Sequence, residues 1–218
     1  GIENYQATYQ LPAEFDAQSL LRTEDKANIS TEIGERLRHP MNSLAAFTAR
    51  PSHPPRGVEA GVGYAPEAEL ALELVGMTDL PLMAFGKLEY IAAQHGLDPA
   101  ALIKPSPFQA LAGLLAAWTG DELSALQAAY DWHVSGKLNS RFGELPQSFE
   151  LVVVEDTLGG IRSARAAGEI LREAGFDVTV RAFGLTSGIA AKAAAFTAAD
   201  VPHFENWESL MAVGLHPA

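Results

Sequence analysis

VVVEDTLGGIRSARAAG, residues 152 to 168, is the stretch on which the reading of the whole chain turns. Val152 to Val154 belong to the apolar run FELVVVED, which has the length and composition of a buried strand. The run ends on two carboxylates, Glu155 and Asp156. A turn containing Gly159 and Gly160 follows, and then small residues through Gly168 that suit a closely packed helix. An acidic pair at the end of a buried strand is either a solvated turn, a helix cap, or a place where cations are held.

The segments around this stretch repeat the same alternation. A helix is expected from Ile161 to Ala174, closed by Gly175, then a second strand FDVTVRAFG, then a helix from Ser187 to Ala199. A short VPHF and a closing helix through Trp207 and Leu210 complete the C-terminal third. Upstream, Pro66 to Val75 and Leu88 to His95 read as helices, with LPLMAF (80–85) as a strand between them. An alanine- and leucine-rich helix begins near Pro107, and another runs from Gly120-Asp121 to about His133. Strands alternating with helices of this length predict a parallel sheet covered on both faces. The expected fold is α/β, a three-layer α/β/α sandwich around a Rossmann-like parallel sheet, with FELVVVED and SLAAFTAR as near-central strands.

Residues 1–42 are polar and are read as a separate arm or cap remnant, with residues 43–218 as the α/β core. Tyr5 to Leu11 alternates with a period of two and is the one strand-like stretch of that arm. Ser30 or Thr31 is placed to cap a short helix carrying Ile33 and Leu37, which Pro40 ends.

Composition narrows the function. The chain has 218 residues, 48% of them hydrophobic and 19% charged, as in an ordinary globular protein with one sizeable core. Its formal net charge of −12 argues against nucleic acid as a partner, because a phosphate backbone needs a basic surface. There is no cysteine, so disulfides, thiolate metal sites and cysteine nucleophiles are excluded. No apolar run approaches the ~18 residues of a membrane span, and the expected location is cytoplasmic.

In an open parallel sheet, functional groups gather beyond the carboxyl ends of the strands. Thr48 ends SLAAFT, Glu155 and Asp156 end FELVVV, and Lys104 lies in the loop Lys-Pro-Ser-Pro ahead of a helix. A hydroxyl, an ammonium and two carboxylates in one cleft suit a phosphate with a divalent metal. Individually each has an ordinary explanation, as a turn residue, an exposed loop lysine or a cap. GLTSG (184–188) is read as a helix cap ahead of an alanine-rich helix, with an anion-binding N-terminus as the alternative. Trp118, Trp132 and Trp207 are expected to be core or partly buried.

At these residues the sequence resembles the haloacid dehalogenase superfamily of phosphatases and phosphotransferases. VVEDTLGGIRSARAAG is similar to that family's fourth motif, in the form found in its phosphoglucomutase-like and phosphoglycolate-phosphatase-like members. LAAFTARPS resembles the second motif and KPSP the third. The resemblance covers about residues 43 to 210. It implies that Asp156 and Glu155 serve a Mg²⁺ site, weak or absent in this chain because the first motif's oxygen ligands are missing, that Thr48 binds phosphate, and that Lys104 binds phosphate and neutralises charge during catalysis. It further implies a small phosphorylated metabolite as substrate, with a homodimer as a possible assembly.

The family's first motif, an apolar strand ending in Asp-x-Asp, should precede Thr48 and supply the nucleophile that forms an aspartyl phosphate. Residues 1 to 47 contain no such pattern. Asp16 in AEFDAQSL lacks an apolar strand before it and has Gln18 where the second Asp belongs, and Glu24-Asp25 is no better. Three readings follow: a phosphatase whose nucleophile segment lies outside this chain, a non-catalytic module binding a phosphorylated ligand or a protein partner, and an unrelated Rossmann-like binding domain. The missing strand would lie between SLAAFTAR and FELVVVED. The expected remedies are insertion of Tyr5 to Leu11 or direct pairing of those two strands.

Overall fold

The computed structural model describes residues 25–61 and 63–213. The chain is mixed α/β, with two small parallel sheets among the described residues. Helix α1 (Thr31–Leu37) is the first element among the described residues, with Ser30 as its cap: the Oγ of Ser30 accepts from the Ile33 amide at 3.3 Å. Strand β1 (Ala46–Phe47), helix α2 (Glu67–Leu74), strand β2 (Leu82–Met83) and helix α3 (Phe85–His95) follow. LPLMAF is thus mostly not a strand. Only its central two residues pair, since Pro81 has no amide to donate and the chain turns helical at Phe85.

Helix α4 (Pro107–Thr119) organises the core. It begins with proline at its first position and Ser106 as its cap, and it ends at Gly120 in the left-handed conformation. Phe108, Leu111, Ala112, Leu115 and Ala116 are fully buried, so the helix is apolar almost all round. It packs against helix α5 (Glu122–Ser135) and touches β1 and β2 as well. Each large side chain of this set contributes about 1.5–3 kcal/mol by leaving water.

The second sheet contains strand β3 (Ser148–Glu155), strand β4 (Asp177–Leu185) and strand β5 (His203–Phe204), in that order and all parallel. Ser148 stands opposite Asp177, and Glu155 opposite Gly184. Helix α6 (Leu158–Glu173) makes the crossover from β3 to β4 and packs against both strands and α4. Helix α7 (Ala190–Ala198) and helix α8 (Trp207–Val213) follow, with α8 against β5 and α1.

The two sheets are covered differently. In the β1–β2 pair, Leu82 packs with Ala68 and Leu72 of α2, while Met83 belongs to the cluster around α4. Both faces are filled. In the β3–β4 pair, Val153, Val178 and Ala182 are buried among residues of α4, α6 and α7. The opposite face carries an ion pair from Arg181 to Glu150 at 3.1 Å and a hydrogen bond from the Ser148 hydroxyl to Asp177 at 2.9 Å. Val152, on that face, is 38% exposed. Burial of FELVVVED on both faces is therefore not what these residues show; the strand buries alternate positions and is half-solvated.

Among the described residues β3 lies at the edge of its sheet rather than near its centre, and β1 belongs to the other sheet, so the two strands do not pair directly. The alternative remedy, Tyr5 to Leu11, lies outside the described residues, as do Asp16 and Glu24. No helix among the described residues is long and apolar enough to cross a membrane. Trp118 is about half exposed. Ser187 and Gly188 adopt positive φ ahead of α7, whose first amides receive no side-chain cap. GLTSG is therefore a tight turn, not a cap.

Candidate functional site

Lys104, Glu155 and the end of β1 meet in one place. The Lys104 ammonium is ion-paired with the Glu155 carboxylate and lies over the Phe47 ring, 4.9 Å from its centroid. Phe47 is the last residue of β1, so Thr48 follows directly at the same end. The side chain of Glu155 is 5% exposed and that of Lys104 is 13% exposed. A charge buried this deeply persists only with a partner, because the cost of desolvation is several kcal/mol per ion.

Gly160 makes the burial of Glu155 feasible. A Cβ at position 160 would overlap the Glu155 carboxyl carbon and oxygen, so the first turn of α6 can close over that side chain only as glycine. The second carboxylate oxygen of Glu155 accepts from the Thr157 hydroxyl at 3.0 Å and from the Thr157 amide at 3.3 Å. Both of its carboxylate oxygens thus face donors.

Thr48 is positioned through its backbone. Its amide donates to the Met83 carbonyl at 2.9 Å, and its Oγ1 accepts from the Arg50 amide at 3.2 Å. The hydroxyl proton is left to donate elsewhere. The Thr48 carbonyl accepts from the side-chain amide of Gln109, which also donates to the Met83 carbonyl, both at 2.8 Å. The oxygen of the same side chain accepts from the Lys104 amide at 3.4 Å. Gln109, fully buried in α4, thus ties the ends of β1 and β2 to the lysine loop. Sequence reasoning passed over it. The available signal was a lone amide in the otherwise apolar run PFQALAGLLAAW.

Asp156 diverges from Glu155. It is exposed, and its carboxylate pairs with the Lys192 ammonium of α7 at 2.8 Å. Adjacent residues at the end of a strand point to opposite sides, which separates the two carboxylates. The fit of these residues to Mg²⁺ follows from their partners. Mg²⁺ takes oxygen ligands in an octahedral shell, and both carboxylates here are engaged by ammonium groups. Among the described residues no group of three or more His, Cys, Asp or Glu side chains is placed to hold a metal ion. As arranged, Glu155 and Asp156 do not fit a preformed Mg²⁺ site.

A second buried charge cluster escaped the sequence reading altogether. Lys87, at the start of α3, donates to Glu69 Oε1 at 2.9 Å and to the His53 carbonyl at 3.0 Å. Glu122, almost fully buried, accepts from the amides of Arg56 and Leu82, each at 2.9 Å. These residues line a cleft of about 360 Å³. They come from four separate segments, and no local spacing marks them.

Comparison of the chain with protein-family models, with curated proteins and with solved structures gives no match.

Proposed function

We propose that this chain is a phosphate-ester-binding domain of the haloacid dehalogenase type, which takes a small phosphorylated metabolite at the ends of β1 and β3. The observation that carries this reading is the convergence of Lys104, Glu155 and the Thr48 end of β1, held together by Gln109. An ammonium suits a phosphate oxygen, and the lysine is the more exposed member of its ion pair. In the same reading the complete fold is a three-layer α/β/α sandwich. A further strand then fills the place between β1 and β3, and further structure covers the Val152 face.

Chemistry is a separate matter from binding. An aspartyl-phosphate mechanism needs a carboxylate nucleophile, which the resemblance places ahead of Thr48 and which no Asp-x-Asp there supplies. The second reading is a non-catalytic module that binds a phosphorylated ligand or a protein partner. It is favoured by the pairing of both carboxylates with lysines, which leaves neither disposed to serve a metal.

Titration with 4-nitrophenyl phosphate, followed calorimetrically and by product release, tests both. Binding is expected, with inorganic phosphate competing and Lys104→Gln weakening it by about tenfold or more. Turnover by the chain as it stands is expected to be absent, since removing a covalent nucleophile costs many orders of magnitude in rate. Binding indifferent to Lys104→Gln would sink the site. Rapid turnover would sink the separation of binding from chemistry.

A further inference from the structure

Among the described residues, strand β3 pairs with β4 alone, so its other side is an open edge. The Asp177 amide donates to the Gln147 carbonyl at 2.9 Å, which sets the parity of the parallel ladder. Backbone groups of successive strand residues point to opposite sides, so those of Phe149, Leu151, Val153 and Glu155 face β4. The N–H and C=O groups of Ser148, Glu150, Val152 and Val154 face away from it, and none meets a backbone partner among the described residues. An edge of eight residues, with three successive valines and neither proline nor lysine, is a template for another strand.

The two faces of β3 describe the strand that fits. Phe149 and Leu151 pack toward the cluster around α4 and Val153 toward α6, whereas Ser148, Glu150 and Val152 are exposed. A neighbouring strand must therefore be apolar on one face and polar on the other. Tyr5 to Leu11, outside the described residues, has that pattern: Tyr5, Ala7, Tyr9 and Leu11 alternate with Gln6, Thr8 and Gln10, and Pro12 ends the run. Glutamines suit a sheet that is solvated on one face. Residues 12 to 24 reach about 40 Å when extended. The distance to cover is shorter, since α1 lies against α8 beside β5, and the open side of β3 is three strand spacings, about 14 Å, beyond. Tethered to the sheet by its own chain, the segment is present at an effective concentration of about millimolar, ahead of a second molecule.

We infer that Tyr5 to Leu11 docks on the open edge of β3 as a further strand, with its apolar residues toward α4 and α6 and its glutamines outward. This names the occupant of the place beside β3 that the reading above leaves open. It rests on the ladder and on the alternation, not on phosphate binding, so either can fail without the other.

Hydrogen–deuterium exchange of the ¹⁵N-labelled full chain reads the edge residue by residue. With the strand in place, the amides of Glu150, Val152 and Val154 are expected to exchange about a hundredfold or more slower than free amides, as those of Leu151 and Val153 do. Cross-strand NOEs are expected between backbone protons of residues 5–11 and 148–154. Ala7→Pro combined with Thr8→Pro removes a ladder donor on either side of the segment. It is expected to speed exchange at Glu150, Val152 and Val154 about tenfold or more while Leu151 and Val153 stay protected. Fast exchange at those three amides in the unaltered chain would overturn the proposal. So would protection that fades on dilution, which marks a second copy, or protection that the proline pair leaves unchanged. If the proline pair unfolds the chain, the NOEs of the unaltered chain decide, and their absence overturns the proposal.

Discussion

The two buried lysine–glutamate pairs are built in opposite senses. At Lys104–Glu155 the carboxylate is the more deeply buried partner, 5% exposed against 13%, and the ammonium lies nearer the surface. At Lys87–Glu69 the order is reversed, with the ammonium at 2% and the carboxylate at 31%. The pairs are identical in residue type, and burial alone decides which of the two charges is left nearer the surface.

The sharpest way to break this comparison is to remove each partner in turn and measure stability by denaturant unfolding. Removing one member of a buried pair strands the other, at about 3–5 kcal/mol when the remaining charge is fully enclosed. Lys104→Met, which strands Glu155, is expected to reach about that range, and Glu155→Leu about half of it. For the other pair the order inverts: Glu69→Leu, which strands Lys87, is expected to exceed Lys87→Met by about 1–2 kcal/mol. Equal losses within each pair would mean that their opposite burial has no energetic weight.

Each pair also has a glycine beside it, and the two differ in what they face. A Cβ at Gly86 would overlap the Ser52 carbonyl, which is backbone adjoining His53, whereas a Cβ at Gly160 meets the Glu155 side chain. Backbone yields less readily than a side chain. Gly86→Ala is expected to destabilise by about 3 kcal/mol and Gly160→Ala by about 1–2 kcal/mol, read from unfolding midpoints. Gly160→Ala is further expected to displace Glu155 and so weaken the binding of 4-nitrophenyl phosphate.

The smallest effect belongs to an exposed pair, which sets the baseline. Arg38 donates to Asp79 at 2.7 Å, joining α1 to the turn before β2. The hydrogen bond from Arg38 holds the Asp79 carboxyl below its usual range. A carboxyl depressed in the folded state stabilises above its unfolded pKa, and that contribution is lost as pH falls through the folded value. Since both partners are at the surface, Asp79→Asn is expected to cost within about 0.5 kcal/mol at neutral pH and to flatten the acid limb slightly. A loss comparable to that of Lys104→Met would show that burial is not what separates the classes.

Much of the fold was legible where local pattern and tertiary environment agree. β3, α6 and β4 follow the expected segments closely, because strand and helix periods switch cleanly between Phe149 and Leu185. What the apolar run could not reveal was how many of its faces are covered. Three successive valines read the same whether they are covered on two sides or on one, and here Val152 meets solvent. The shortening of β2 to two residues follows from Pro81 and the early start of α3.

The candidate site divides in the same manner. Lys104 and Glu155 were legible through the order of their motifs, and Thr48 through its place after an apolar run. The separation of Asp156 from Glu155 was not, since neighbours in sequence look like partners until the pleat sends them apart. His53, Glu69, Lys87 and Glu122 had no spacing to betray them. They meet only because Gly86 lets the Ser52 loop close upon α3.

Gln109 has an implication for what substitutions this protein tolerates. Its nitrogen faces two carbonyl oxygens while its oxygen faces an amide, so the position distinguishes the two ends of a side chain whose ends are nearly the same shape. Glutamate would keep every atom's place and still fail, presenting an anion to two acceptors. Leucine would keep the helix and leave the ends of β1 and β2 without their common donor. A lineage that drifts freely along the rest of α4, exchanging one apolar residue for another, has almost no neutral step to take at this one residue.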